Sequence, residues 1–249
     1  MPSSPSAFAS HPEDLHPSLW RASQLARHHA RTLDTGYAAL SAELPGGGWP
    51  VGALIDLLVQ QAGVGEMRLL APALGATGGI GGTGGTSNKR PIALVQPPHV
   101  PNGPGLDYIG VPLSRLMLVK AAKTVDALWA AEQILRAGSC GALLFWGQHV
   151  QTSSLRRLHL AAQSSDTLFV MIRPLAAAKD ASPALLRLAL RACGDGLSVD
   201  IVKRRGPLRT EPLSLPLQPT PVLFSRHART ARRPLAPVAA RGLQAEVAA

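Results

Sequence analysis

The residues nearest to recognisable chemistry are Gln60-Gln61-Ala62-Gly63-Val64-Gly65-Glu66-Met67. They join an apolar run, Ala53 to Val59, to a stretch of helical patterning from Glu66 to about Leu74. A glycine-bearing turn between a strand and a helix is where backbone N–H groups can cradle phosphate. The working pattern, G-x-x-x-x-G-K-[ST], adds a lysine for the β- and γ-phosphates and a hydroxyl for Mg2+. Here Gly65 keeps its place at the helix start. Gln60 stands at the first glycine position, Glu66 at the lysine position and Met67 at the hydroxyl position. At roughly 4 Å and an effective dielectric near 20, a pair of unit charges is worth about 4 kcal/mol, so exchanging lysine for glutamate shifts the balance by roughly twice that. Micromolar affinity amounts to only about 8 kcal/mol in all. The loop therefore reads as a vestigial nucleotide loop with no cofactor to hold. Its Gly63 and Gly65 serve a plain strand-to-helix turn.

Other reactive residue types are sparse. His28-His29 sit among arginines with no third metal ligand at useful spacing. Cys140 and Cys193 have no adjacent base and read as small apolar residues rather than nucleophiles. Neither a G-x-S-x-G elbow nor an H-E-x-x-H helix occurs. Trp20 and Trp49 read as local packing, and Trp146 as a residue filling space near the loop. Lys203-Arg204-Arg205 could contact phosphates of DNA; a solvated strand end is an equal reading, and both stay open.

The elements that must position these residues alternate. Apolar strand runs occur at Ala53–Val59, Ile92–Val95, Leu116–Val119, Ala142–Trp146 and Thr167–Ile172. Helices are expected at 17–31, 66–74, 125–137, where Thr124 caps the start and Val125, Leu128, Ala131 and Leu135 line one face, and 155–163. Leu185–Arg191 and Leu197–Val202 pair as a hairpin through Gly194-Asp195-Gly196. This order predicts an α/β fold with a mostly parallel sheet flanked by helices and an antiparallel edge hairpin. Residues 1–14 read as a disordered tail and 75–88 as a glycine-rich flexible insertion. The core is expected to end at 206, because prolines recur from Pro207 to Pro237.

The 249 residues carry 25 Lys+Arg against 15 Asp+Glu, a net charge of +10. Nine of the cations and one acid lie between Lys203 and Arg241, so that segment holds +8 and the rest is nearly neutral. Residues 207–249 accordingly read as a Pro/Arg-rich interaction tail for an acidic partner or DNA rather than a solubilising one. Its apolar anchors would be Leu213, Leu215, Leu217, Val222, Leu223 and Phe224, with Arg226, Arg229, Arg232 and Arg233 as its charges. Two cysteines exclude a disulfide scaffold, no apolar run suits a membrane span, and the first ten residues lack a secretory signal. These features imply a soluble chain of a reducing compartment.

Order and spacing carry a resemblance across residues 15–206. Thr35-Gly36, Leu40 and Gly47-Gly48-Trp49-Pro50-Val51-Gly52 before the first strand resemble the approach of RecA to its nucleotide loop. Thr124 through Gly147 resembles its next helix and Walker B strand, and Ser164-Ser165-Asp166-Thr167 a further strand. Within that group the chain resembles the ImuA family of translesion-synthesis accessory proteins, often grouped with SulA-like proteins. Against the RecA pattern, Trp146 stands where the Walker B aspartate belongs. Gln96-Pro97-Pro98 replaces the catalytic carboxylate and Arg173-Pro174 the sensor glutamine. The stretches matching the DNA loops, 148–154 and 175–181, are short and carry only Lys179.

The resemblance implies a RecA-like core and a cytoplasmic, damage-induced, nucleoid-associated adapter under LexA control. It implies as partners an ImuB-type inactive Y-family polymerase homologue, an error-prone DnaE-type polymerase subunit, and RecA itself. DNA could be held through the basic tail. Three alternatives stand: a SulA-like cell division inhibitor acting on FtsZ, an ATP-dependent RecA-type DNA-binding ATPase, and a simple DNA-binding module.

Overall fold

The computed structural model describes residues 31–77, 90–194 and 196–217. In chain order they form β1 (Thr32–Leu33), α1 (Ala38–Glu43), β2 (Trp49–Pro50), β3 (Leu54–Val59), α2 (Glu66–Ala76), β4 (Ile92–Val95) and α3 (Gly103–Tyr108). Then follow β5 (Leu116–Val119), α4 (Thr124–Ala137), β6 (Ala142–Trp146), α5 (Thr152–Gln163) and β7 (Leu168–Pro174). The last strands are β8 (Leu186–Cys193), β9 (Gly196–Lys203) and β10 (Leu213–Pro216).

Every residue of β3 is buried. A run of that kind is tolerated only where both faces of the sheet are covered. On one face Ile55, Leu57 and Val59 pack with Trp49, with Leu40 of α1 and with Leu69, Leu70 and Leu74 of α2. On the other, Leu54 shares a cluster with Leu128 and Leu135 of α4 and with Leu155 and Leu158 of α5. The main sheet runs β10-β9-β8-β3-β7-β6-β4-β5, while β1 and β2 make a separate antiparallel pair. From β8 to β5 all neighbours are parallel, and β8-β9-β10 is antiparallel. The fold is thus α/β, mostly parallel, with an antiparallel hairpin. That places β3 between β7 and β8, so its loop opens at the carboxyl end of the parallel strands, where ligands of such sheets gather.

Four expectations are corrected. The core does not end at 206: β10 pairs with β9 from Leu213↔Val199 to Pro216↔Gly196, and Leu213, Leu215 and Leu217 are buried. Proline is compatible with this position because β10 is an edge strand. β10 also comes so close that a Cβ on Gly196 would lie 2.1 Å from the Leu215 carbonyl oxygen, so glycine is required there. Thr124 is the first helical residue of α4, and Lys123 occupies the cap position without a side-chain bond. Val125 faces solvent at 72% exposure, because the buried stripe of α4 is Ala127, Leu128, Ala131, Glu132 and Leu135. Helix α2 continues to Ala76, so Gly75 is helical rather than part of an insertion. The expected helix at 17–31, except Arg31, and the tail at 1–14 lie outside the described residues, as do 78–88 of the glycine-rich segment.

Candidate functional site

The β3–α2 loop leaves the sheet at Val59, turns through Gly63 and Gly65, and enters α2 at Glu66. Both glycines have positive φ, 86° and 129°, conformations that an L side chain resists. A Cβ at Gly65 would also stand 3.2 Å from Leu197 and from Leu217, so β9 and the end of β10 close over this turn. Into it folds Glu66, only 3% exposed. Its Oε1 accepts the Gly63 N–H at 2.8 Å and its Oε2 the Gly65 N–H at 3.1 Å. A buried carboxylate requires such partners, and a helix N-terminus favours its charge. Loop amides that could face an external anion are therefore bonded to the chain's own one. Gln60 stays exposed, while Met67 leans half-buried against the core.

The neighbouring positions have structural partners too. Trp146 ends β6 half-buried against the core, and its Nε1 has no partner among the described residues. Gln96 follows β4 with φ 53°, the one positive φ of a non-glycine residue among those described. Its Nε2 donates to the Ala121 carbonyl at 2.6 Å and its Oε1 accepts the Ala121 N–H at 3.4 Å. A side chain that both donates and accepts clips β4 to the segment after β5; a carboxylate could not donate.

Arg173 belongs to a cluster that sequence reasoning missed. Asp56 of β3 is fully buried, with Arg173 of β7 and Arg187 of β8 buried beside it. Asp56 Oδ2 accepts Arg187 Nε at 3.1 Å and the Ser182 hydroxyl at 2.7 Å, and Arg173 Nη1 lies 3.6 Å away. Arg187 also donates to the carbonyls of Ala177, Ala178 and Asp180, and Arg173 to Asp180 Oδ2 at 3.0 Å. The cluster thereby ties the crossing chain between β7 and β8 to the middle of the sheet. The signal was a lone charged residue in each of two otherwise apolar strands, Asp56 in β3 and Arg173 in β7, with Arg187 near the start of β8. Asp56 Oδ1 and Arg173 Nε and Nη1 make no hydrogen bond among the described residues.

The basic strand end is engaged as well. Lys203 Nζ donates to the Ser182 carbonyl at 3.1 Å. Arg204 donates through Nε to the Pro207 carbonyl at 2.6 Å, and through Nη1 to Glu43, at 2.8 Å from Oε2 and also to its carbonyl oxygen. Arg209 completes the pair with Glu43 Oε1 at 2.8 Å. Arg204 first, then Arg209, hold the Glu43 carboxyl below its ordinary range. Arg205 is exposed. Of the expected anchors, Leu213, Leu215 and Leu217 are packed in the chain's own core and so are corrected to structural residues. Val222, Leu223, Phe224, Arg226, Arg229, Arg232 and Arg233 lie outside the described residues.

Among the described residues no three His, Cys, Asp or Glu side chains gather as metal ligands, and no helix is long and apolar enough to cross a membrane. Cys140 is buried, which pushes its thiol up, and Cys193 is exposed. No family model matches the chain. Over 76 residues it is 30% identical to a protein named cell division inhibitor SulA from Edwardsiella piscicida, covering 30% of this chain and 45% of that protein. The chain thus spans less than half of that relative's length. A crystal structure of SulA from Pseudomonas aeruginosa is similar at 23% identity and TM-score 0.38, over 48% of this chain and 97% of that one.

Proposed function

We propose that this chain is a non-catalytic adapter of the SOS response to DNA damage, built on a RecA-like frame whose nucleotide loop is closed by its own Glu66. The observation that carries this reading is the Glu66 carboxylate bonded to the Gly63 and Gly65 amides under Leu197 and Leu217. Gln96, Trp146 and Arg173, at the positions the RecA resemblance assigns to carboxylate, aspartate and glutamine, are each built into packing or bonding of the fold. With Met67 and Trp146 where the pattern puts its Mg2+ oxygens and Gln96 where it puts its carboxylate, such a frame works by holding partners. The ImuA resemblance names them: an ImuB-type inactive polymerase homologue and an error-prone DnaE-type subunit, with RecA as a further candidate. Because Leu213, Leu215 and Leu217 are committed to the core, docking falls to residues 218–249, where the same basic segment could also hold DNA. Calorimetry with Mg·ATP should give millimolar or weaker affinity, and deleting 218–249 should abolish co-purification with the ImuB-type partner while the core melts as before. Tight Mg-dependent binding, or a retained complex, would refute the reading.

The similarity to a protein named cell division inhibitor SulA favours a second reading, an inhibitor acting on FtsZ. Overexpression separates the two. Filamentous cells and slowed FtsZ assembly in vitro support the inhibitor, and normal division with a polymerase complex supports the adapter.

A further inference from the structure

Helices α4 and α5 lie side by side over one face of the sheet, joined through a single carboxylate. Glu132 of α4, only 9% exposed in its side chain, accepts Arg136 Nη2 on Oε1 at 2.8 Å. On Oε2 it accepts Arg157 of α5, from Nη2 at 2.7 Å and Nε at 3.1 Å. Two guanidiniums on one carboxylate leave a positive charge in excess, and exposed Arg156 adds another. Around this bridge Val125, Trp129 and Leu160 stand 72%, 61% and 64% exposed. Val125, Trp129, Glu132 and Arg136 recur at helical spacing and form one stripe, as do Arg156 or Arg157 with Leu160.

None of these apolar groups is needed by the fold. The inward stripes, Leu128, Ala131 and Leu135 with Leu155, Leu158 and Ala162, already fill that side of the core. Single exposed apolar residues are ordinary, but here an indole stands among three guanidiniums, the residue types that dominate binding hot spots, and two aliphatic side chains extend the apolar area beside it. Glu132 also orders Arg136 and Arg157 in advance, which lowers the entropic cost for whatever meets them.

We propose that the outer face of α4 and α5, centred on Trp129 and the Arg136–Glu132–Arg157 bridge, docks an acidic segment of a partner protein that carries an apolar stripe. Charge sets the class of partner. Arg136, Arg156 and Arg157 stand against Asp126 and Glu132 on these two helices, a slight excess that suits a few carboxylates. A nucleic-acid surface needs a longer track of cations and further aromatic platforms. This surface is built from residues of α4 and α5 alone, and the proposal does not depend on how residues 218–249 dock.

The test uses the full chain and three labelled probes in anisotropy titrations: a designed helical peptide with leucines on one side and glutamates on the other, its lysine-for-glutamate twin, and a single-stranded oligonucleotide. The acidic peptide should bind at least about tenfold more tightly than its twin, and Trp129→Ala and Arg156→Glu should each weaken it at least about tenfold. Leu160→Ser should weaken it as well, and all three variants should melt like the parent because the replaced side chains are exposed. Acidic binding untouched by these variants would belong to the basic C-terminal segment and would overturn the proposal. Equal binding of the two peptides, or a loss confined to the oligonucleotide, would overturn it equally.

Discussion

Asp56 and Glu66 are both buried carboxylates on one strand–loop–helix unit, yet they are neutralised by different means. Asp56 sits inside the sheet and is met by side chains from β7, β8 and the chain between them. Glu66 sits at a helix start and is met by amides one and three residues before it. The first bond set can form only after distant segments have assembled. The second forms within a single turn. The contrast separates two consequences of setting a charge in a core. Held by remote cations, it fastens tertiary structure; held by local amides, it fixes one loop and fills whatever that loop could otherwise bind.

The largest expected effect lies at Asp56. Asp56→Ala leaves Arg173 and Arg187 buried without their shared counter-ion, and breaking a buried pair in this way costs about 3–5 kcal/mol. Urea unfolding should show a loss of that size. The triple variant Asp56→Leu, Arg173→Met, Arg187→Met should recover most of it, because well-packed apolar replacements of an ion cluster are tolerated. A loss below about 1 kcal/mol for the single variant would remove the distinction between the two carboxylates.

How much of this was legible depends on the range of the interaction. The parallel strands show as apolar runs because burial on both faces leaves no alternation to misread, and the glycines of the β3–α2 loop mark its turn. The position of Glu66 was legible as well, but not the direction of its carboxylate, which depends on the φ values of Gly63 and Gly65. Asp56 lies more than a hundred residues before Arg173 and Arg187, and only strand order brings them together. β10 was obscured by its prolines: Pro212 and Pro216 suggest an extended tail, yet Pro212 precedes and Pro216 ends an edge strand whose Leu213 and Leu215, with Leu217 just beyond it, are buried in the core. Leu215→Ala should therefore cost about 2–4 kcal/mol in the same unfolding assay, a value a solvent-exposed tail residue would not give.

Glu66 should show the smaller, local response. Glu66→Ala leaves the Gly63 and Gly65 amides without an acceptor, at about 1–3 kcal/mol. Hydrogen exchange should quicken at those two amides while the strand amides of β3 and β7 stay protected. Glu66→Lys restores the cation of a phosphate loop, yet calorimetry should still find no Mg-dependent gain in ATP affinity, because Met67 and Trp146 offer magnesium no oxygen. A micromolar Mg·ATP site in that variant would mean that the glutamate alone had closed the loop.

The smallest effects belong to groups near the surface, and they follow pH. Glu43 is held below its ordinary value of 4.5 chiefly by its bond to Arg204. Its contribution is complete above 4.5 and is lost as pH falls through the lowered value, since the unfolded chain takes up the proton first. His159 is lowered from 6.5 mainly by burial, and its Nδ1 accepts the Leu54 N–H at 3.3 Å, so the neutral ring is the bonded form. Stability from His159 is intact above 6.5 and declines below it. The two windows are distinct, which lets melting against pH assign them. His159→Phe should flatten the slope just below 6.5, whereas Glu43→Gln should flatten the one below 4.5. Added salt should weaken the Glu43 step more than the His159 step, because Glu43 rests on partly exposed ion pairs, whereas His159 is lowered first by burial and only second by the charge of Lys203. A His159→Phe protein that keeps the upper slope would place that titration elsewhere in the chain.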